Sequence, residues 1–121
     1  MSKTSTPSVV SVSMPLQHYK WGNGCEAWNF VDNKDLSVKL EKMPAKTEEV
    51  LHYHSQSQQF FYILEGKAVF EVDGVILIVH CGEGLHIEAR RRHQIMNKED
   101  HPLMFLVCSH PSTAGDRHNL V

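Results

Sequence analysis

Residues 52–66 read HYHSQSQQFFYILEG, and this stretch sets the pattern for the rest of the chain. His52 and His54 are separated by one residue, a spacing that directs both side chains to the same face of an extended strand. Gln59 and an apolar run follow a polar turn, and Gly66 then permits the tight bend that leads into another strand. We therefore predict a β-hairpin with a metal-chelating pair of imidazoles at its mouth.

The chain has 121 residues, of which 41% are hydrophobic, enough for one domain with one core. No window longer than about ten residues keeps a helical period, so regular helix should be minor. Asp73-Gly74 lies between two apolar runs and predicts a two-residue hairpin turn. Predicted strands lie at residues 26–31, 36–41, 50–54, 59–64, 68–72, 75–79, 85–88, 93–97 and 103–109. Short strands at this regular spacing indicate an all-β sandwich or barrel.

Alternation within residues 36–41 is a separate signal. Leu36, Val38 and Leu40 alternate with polar residues there, which predicts a half-buried strand.

The two ends of the chain are polar and carry no visible chemistry. Residues 1–13 are predicted to be a flexible tail, with a short edge strand around Val9–Val12 as the alternative ending. We place the barrel at residues 14–112 and a polar C-terminal tail at residues 113–121. That second tail is either loose or folded back along the barrel.

Composition excludes several classes of protein. The 12 basic and 14 acidic residues give a net charge of −2, so we expect neither nucleic acid nor a membrane surface as a partner. No apolar run approaches the roughly 20 residues that cross a bilayer. The polar start lacks the centre of a secretory signal, so a cytoplasmic location is expected. Three widely separated cysteines without a CxxC pair indicate reduced, structural thiols.

Two motifs in the chain resemble those of the cupin superfamily. His52-Tyr53-His54, four residues, Gln59, six residues and Gly66 are similar to the first cupin motif, in which HxH is followed by Glu or sometimes Gln and then by Gly. The second motif is similar to residues 82–97, where Gly82, His93 and Asn97 match in register. The resemblance implies a double-stranded β-helix, the cupin jelly-roll barrel, and a homodimer.

The resemblance also implies the metal ligands His52, His54, Gln59 and His93, which would hold one divalent ion: Zn, Ni, Fe or Mn. Gln58 is the other candidate for the amide ligand, but the six-residue gap to Gly66 favours Gln59. No Asp or Glu lies between His54 and Leu64, so the usual acidic ligand is absent. Four neutral ligands leave the ion a stronger Lewis acid that is less tightly held. A relic site with poor occupancy is the alternative.

The second motif departs from the family where Pro and Gly are expected. This chain has Glu88 and Arg90 at those positions, and the loss of Gly predicts a different turn before His93. Residues 90–92 are three consecutive arginines, which form either a solvated loop or a group at the barrel mouth that attracts a carboxylate or phosphate.

Alternation along the strands also sorts the remaining aromatic and imidazole side chains. Phe61 and Ile63 share the face of Gln59 and should line the cavity, whereas His86 should face outward. The other five histidines lie in turns or polar segments and are predicted not to be ligands. Trp21 and Trp28 are expected to be packing residues.

The expected function is that of a metal-binding cupin. The resemblance implies an enzyme that acts on a small organic acid, enol or carbonyl compound in the barrel cavity, as a dioxygenase, cyclase or isomerase does. A non-catalytic module that binds or senses a small molecule is the alternative. No residue stands out as a general base, and none is assigned.

Overall fold

A computed structural model describes residues 6–120, which form twelve β-strands and no helix. The strands are β1 (Gln17–Trp21), β2 (Cys25–Asp32), β3 (Ser37–Met43), β4 (Thr47–Glu48), β5 (His52–His54), β6 (Gln58–Glu65), β7 (Lys67–Val72), β8 (Val75–His80), β9 (Gly84–Ile87), β10 (His93–Asn97), β11 (Leu103–His110) and β12 (Arg117–Asn119). The all-β prediction is confirmed, and the nine strands predicted from the sequence all form, with ends that differ by a few residues.

The strands make two antiparallel sheets that face each other. The first sheet has the order β1-β2-β3-β11-β6-β9. The second has the order β12-β5-β10-β7-β8, with β4 paired to β10 outside this path. Consecutive strands repeatedly cross from one sheet to the other, which is the arrangement of a double-stranded β-helix.

The core lies between the sheets and is built from alternate residues of their inner faces. Its largest fully buried apolar side chains are Phe70, Phe105, Met43, Ile63, Ile95 and Leu103. Gly66 makes the bend between β6 and β7 with a φ of +87°, and a Cβ there would lie 2.9 Å from the carbonyl oxygen of Pro102. A larger residue cannot take this position without moving the start of β11.

In strand β3, Lys39 and Glu41 face the interior together with the core residue Met43, whereas Val38, Leu40 and Lys42 lie on the outer face. Lys39 and Glu41 line the interior cavity. Leu40 lies opposite Trp28 and Leu106 on the outer face of the sheet. The alternation therefore predicted a strand correctly. A hydrophobicity pattern would not have placed the charged residues Lys39 and Glu41 in the interior.

The outer face of the first sheet remains partly apolar. Phe60, Tyr62 and Leu64 alternate along β6 on this face and are 44%, 39% and 47% exposed. Contiguous exposed apolar surface of this kind is a common mark of a protein interface.

The two ends of the chain have different structures. Residues 9–12 form no strand, and Val9 is 94% exposed, so the predicted edge strand is wrong. Residues 1–5 of that predicted tail lie outside the described residues. At the other end, β12 pairs with β5, so residues 117–119 fold back along the barrel. Among the described residues, no helix has the length and hydrophobicity needed to span a bilayer.

Candidate metal centre

Two strands of the second sheet bring three histidines together. His52 and His54 alternate along β5, and β10 places His93 directly opposite His52. One ring nitrogen from each lies within 4.8 Å of the others. All three side chains are buried, with at most 4% of each residue exposed. The histidines that the sequence singled out therefore form one compact, buried cluster.

Each ring of this cluster is held by a backbone carbonyl. The Nδ1 atoms of His52, His54 and His93 lie 2.8, 3.1 and 2.9 Å from the carbonyl oxygens of Val50, Asp116 and Arg91. A carbonyl oxygen only accepts, so each Nδ1 carries the proton and each Nε2 keeps its lone pair. Metal-binding histidines are usually oriented through this kind of hydrogen bond from the second ring nitrogen.

Gln59 reaches the cluster from the opposite sheet. Its Oε1 lies 3.2 Å from Nε2 of His93, and its Nε2 donates to Oγ of Ser109 at 3.0 Å. Ser109 thereby directs the amide oxygen toward the histidines. Gln58 is exposed, and its Oε1 contacts Nε2 of His86 at 2.8 Å. Only Gln59 of the two candidate glutamines points into the site.

The environment of the cluster favours the neutral form of all three imidazoles. Burial lowers the pKa of His52 to about 3 and that of His93 to about 4, with repulsion from neighbouring imidazoles adding to the effect. Burial also lowers the pKa of His54. All three rings are therefore free of a competing proton on Nε2 at neutral pH.

These residues fit a divalent metal ion. Nε2 of His54 is buried and has no hydrogen-bond partner among the described residues, which leaves a lone pair unsatisfied. The Nε2 of His93 and the Oε1 of Gln59 face each other as two acceptors. A cation resolves both defects, because imidazole nitrogen and amide oxygen are ordinary ligands of divalent ions.

Asp116 organises the loop that follows β5. Sequence patterns did not indicate this role. Its carboxylate accepts the backbone N–H groups of Ser55, Gln56 and Ser57, each at 2.9 Å. Burial raises the pKa of its carboxyl, but these three bonds together outweigh burial and hold that pKa below its usual value. Its carbonyl oxygen also accepts from His54. No local signal reveals this role, since the two segments are about sixty residues apart in sequence.

The arginine run lies outside the cavity. Arg90, Arg91 and Arg92 are all exposed. Arg91 forms ion pairs with Asp73 and Glu88. The run therefore forms a solvated loop and not a group at the mouth of the barrel.

Arg90 replaces the glycine of the second motif without displacing His93. Its φ is +70°, in the left-handed region that glycine normally occupies. Its backbone N–H donates to the carbonyl oxygen of His54 at 2.7 Å. The expected change of turn is therefore wrong, because the arginine adopts the strained conformation and keeps the loop attached to β5.

A cavity of about 420 Å³ lies beside the cluster, between the two sheets. His52, His54, Gln59 and Phe61 line it. Ile63 does not, because it is fully buried in the core. The prediction for Phe61 is thus confirmed and that for Ile63 is wrong.

Two glutamates also line this cavity. Burial raises the pKa of Glu41 to about 7, against the lowering effect of Lys39, and that of Glu49 to about 8, against the lowering effect of Arg117. The guanidinium of Arg117 lies 3.7 Å from Glu49. The sequence indicated neither glutamate as a cavity residue. Glu41 was hidden because it occupies a polar position of an alternating strand.

Several known proteins resemble this chain. The model of the cupin domain family matches residues 39–109. An uncharacterized protein of Methanocaldococcus jannaschii is 33% identical over 57% of this chain and 55% of its own length. A Streptomyces cyaneus protein named polyketide synthase CurC is 35% identical over 40% of this chain and 32% of its own length. The chain thus spans about half or less of these curated relatives.

Solved structures of low sequence identity share the fold. KdgF from Halomonas sp. has a TM-score of 0.79 at 16% identity, covering 88% of this chain and 96% of that one. A predicted oxalate decarboxylase from Thermotoga maritima has a TM-score of 0.75 at 23% identity, covering 87% and 100%. A Silicibacter pomeroyi protein described as a sugar phosphate isomerase has a TM-score of 0.75 at 18% identity, covering 87% and 76%.

The family match spans more than half of the sequence and includes all four predicted ligand positions. This chain belongs to the cupin domain family.

Proposed function

We propose that this cupin is an enzyme that acts on a small organic acid, enol or carbonyl compound through one divalent metal ion. His52, His54, His93 and Gln59 would hold the ion. The observation that carries the proposal is the convergence of three buried Nε2 atoms whose rings are each oriented by a backbone carbonyl.

A divalent ion in this site supplies a Lewis acid for a carbonyl, enol or carboxylate oxygen. The chain itself supplies the surroundings. Phe61, Phe105 and Val107 make one part of the cavity wall apolar. Glu41 has a pKa of about 7, which suits a group that takes up and returns a proton near neutral pH. We propose Glu41 as the general acid–base group.

The proteins of similar structure do not select a reaction. Structures of this fold include proteins described as a sugar phosphate isomerase and a predicted oxalate decarboxylase. Their identities to this chain are 18% and 23%, so they bear on the fold alone. Zn, Ni, Fe and Mn all accept imidazole and amide ligands to differing degrees, and each remains a candidate.

Metal analysis tests the proposal. The purified protein is reconstituted with each of the four metals in turn, and bound metal is measured by mass spectrometry. About one equivalent is expected for wild type. His52→Ala and His93→Ala should lose the metal while keeping the strand signal in circular dichroism. His86→Ala is the matched control, because His86 is exposed and faces away from the cavity.

Two outcomes decide against this function. Metal well below one equivalent after reconstitution with all four ions rules out the metal-dependent enzyme. Metal that survives both ligand substitutions shows that the ligand assignment is wrong. Turnover or oxygen uptake with candidate acids and enols then separates an enzyme from a non-catalytic binding or sensing module.

We also propose a homodimer. The apolar outer face of β6, with Phe60, Tyr62 and Leu64, supports this assembly. The molar mass in solution, measured by light scattering, tests it, and a mass near 13.8 kDa contradicts it. The cytoplasmic location stays a prediction.

A further inference from the structure

Lys39 is a cation inside the barrel, at the far side of the cavity from the histidines. It lies on the inner face of β3, it is half-buried, and it lines the same cavity as His52, His54 and Gln59. Lysine is rarely placed in an interior unless it has a partner. The groups around Lys39 therefore determine how its charge is compensated.

The sheet register gives the distance between Lys39 and the metal centre. Gln59 pairs with Ser109 across one strand boundary, and Ser109 pairs with Ser37 across the next. Lys39 lies two residues beyond Ser37 on the same face. Strand spacing and rise then separate the Cα atoms of Gln59 and Lys39 by about 12 Å. Both side chains project from the same face of this sheet into the cavity, and a short-chain molecule spans the distance between them.

No carboxylate forms an ion pair with Lys39 within the described part of the chain. Its Nζ donates to the hydroxyl of Tyr19 at 2.9 Å and lies 5.4 Å from the centre of that ring. The ion pairs found among residues 6–120 do not include it. Glu41 shares its face of β3 and is the nearest acid along the strand, but burial raises the pKa of its carboxyl to about 7, so it carries only part of a negative charge at neutral pH. The ammonium keeps unused hydrogen-bond donors and a charge that is only partly balanced.

Arg117 is the other cation that lines the cavity, and it is already engaged. Its guanidinium lies 3.7 Å from Glu49, and its Nε donates to Asn119 at 2.9 Å. Arg117 thus has three polar partners, the third being the carbonyl oxygen of Val50 at 3.5 Å, whereas Lys39 has one and keeps more unused donors.

We propose that Lys39 and the hydroxyl of Tyr19 form a carboxylate-binding subsite, so that the ligand of this cavity is a short-chain carboxylic acid with a second oxygen function. The carboxylate lies against the ammonium and the tyrosine hydroxyl, and the second oxygen, a keto, enol or hydroxyl group, faces the histidine and glutamine end. This inference rests on the proposed function for the role of the second oxygen. The carboxylate subsite itself needs no metal.

Titration with succinate tests the subsite. The full-length protein is titrated in its metal-free form and in its zinc-loaded form, and binding is followed by NMR. Lys39→Met should weaken succinate binding about tenfold or more in both forms, because it removes a charge-assisted hydrogen bond. Lys39→Arg should retain most of the affinity. Lys42→Met is the matched control, because Lys42 lies on the same strand, opposite Glu26 on the outer face, and should leave binding within about twofold.

The neutral diamide of succinate is the matched ligand control. It should bind wild type no better than Lys39→Met binds succinate. Equal succinate affinity in wild type and Lys39→Met, or equal affinity of wild type for the acid and the diamide, overturns the proposal. If Lys39→Met does not fold, Lys39→Gln takes its place with the same expected loss.

Zinc affinity, measured by chelator competition, separates this proposal from the proposed function. Lys39→Met should bind zinc as wild type does, because Lys39 is not a ligand. A protein that binds no metal but loses succinate with Lys39→Met refutes the metal-dependent enzyme and supports the subsite. A protein that binds metal but has the same succinate affinity with and without Lys39 refutes the subsite and leaves the metal-dependent enzyme standing.

Discussion

Replacing Gln59 by glutamate tests the central feature of this site, its lack of an acidic ligand. The two side chains have the same length, and Ser109 can donate its hydroxyl proton to a carboxylate just as it accepts from the amide now. Gln59→Glu therefore changes the charge beside the histidines and little else. Gln58→Glu makes the same chemical change one residue earlier, on the exposed face beside His86.

The expected gain follows from electrostatics. Unit charges about 4 Å apart attract by about 4 kcal/mol at an effective dielectric of 20, so a divalent ion gains about 8 kcal/mol. Burying the carboxylate costs several kcal/mol of that amount. We expect the remainder to tighten zinc binding at least tenfold, or about 1.4 kcal/mol. In the metal-free protein the same carboxylate has no counter-ion and should lower the free energy of unfolding.

Chelator competition at pH 7.5 gives the zinc affinity, and urea unfolding gives the stability of the metal-free protein. Gln59→Glu should raise the first and lower the second, while Gln58→Glu leaves both within about twofold in affinity and about 0.5 kcal/mol in stability. A zinc affinity of Gln59→Glu within twofold of wild type refutes the reasoning. So does an equal gain from Gln58→Glu, because it would mean that the effect is not local to the cluster.

Three further perturbations follow from the structure. Asp116→Ala removes the acceptor of three backbone N–H groups and should weaken zinc binding about tenfold or more by loosening the loop after His54; amide exchange at residues 55–57 should rise with it, and unchanged exchange would contradict the role. Arg90→Gly relieves a left-handed φ of +70° and should raise the free energy of unfolding by about 0.5–1 kcal/mol in urea, whereas a loss of stability would show that the arginine is not strained. Between pH 6.5 and 4.5, His52 and His93 bind fewer protons in the folded than in the unfolded protein, so they reduce the free energy of unfolding as the pH falls. Glu41 and Glu49 bind more protons in the folded protein over this range, so they increase the free energy of unfolding as the pH falls. Glu41→Gln combined with Glu49→Gln should therefore increase the loss of metal-free stability by about 2–3 kcal/mol for each pH unit of acidification. An unchanged slope between urea titrations at pH 6.5 and 5.5 would contradict the two raised pKa values.

Local patterns in the sequence were sufficient for much of the fold. The HxH spacing, the Asp73-Gly74 turn and the period of two along the strands depend on geometry within a few residues. The two motifs identified the strands that carry His52, His54 and His93, and those strands are adjacent in the second sheet. Gln59 was preferred to Gln58 by its spacing to Gly66, and the structure brings the same residue to the cluster.

Other features of the cavity depended on contacts between distant segments. Asp116 reaches the loop after β5 only because β12 returns to pair with that strand. Arg90 keeps the turn expected of glycine because its N–H bonds to the carbonyl of His54, a contact that outweighs local backbone preference. Neither effect has a signature in the residues on either side of it.

Strand β3 shows where the limit lies. By itself the sequence determined that residues 36–41 alternate and form a strand, because alternation is a property of the extended backbone. It did not determine which face lines the cavity, because that depends on what each face meets in the folded chain. Only the tertiary structure packed Leu40 against Trp28 on the outer face of the sheet, where both are buried, and turned Lys39 and Glu41 toward the cavity. The sequence thus determined the barrel and the histidine cluster, whereas the packing of the two sheets decided the chemistry of the cavity beside it.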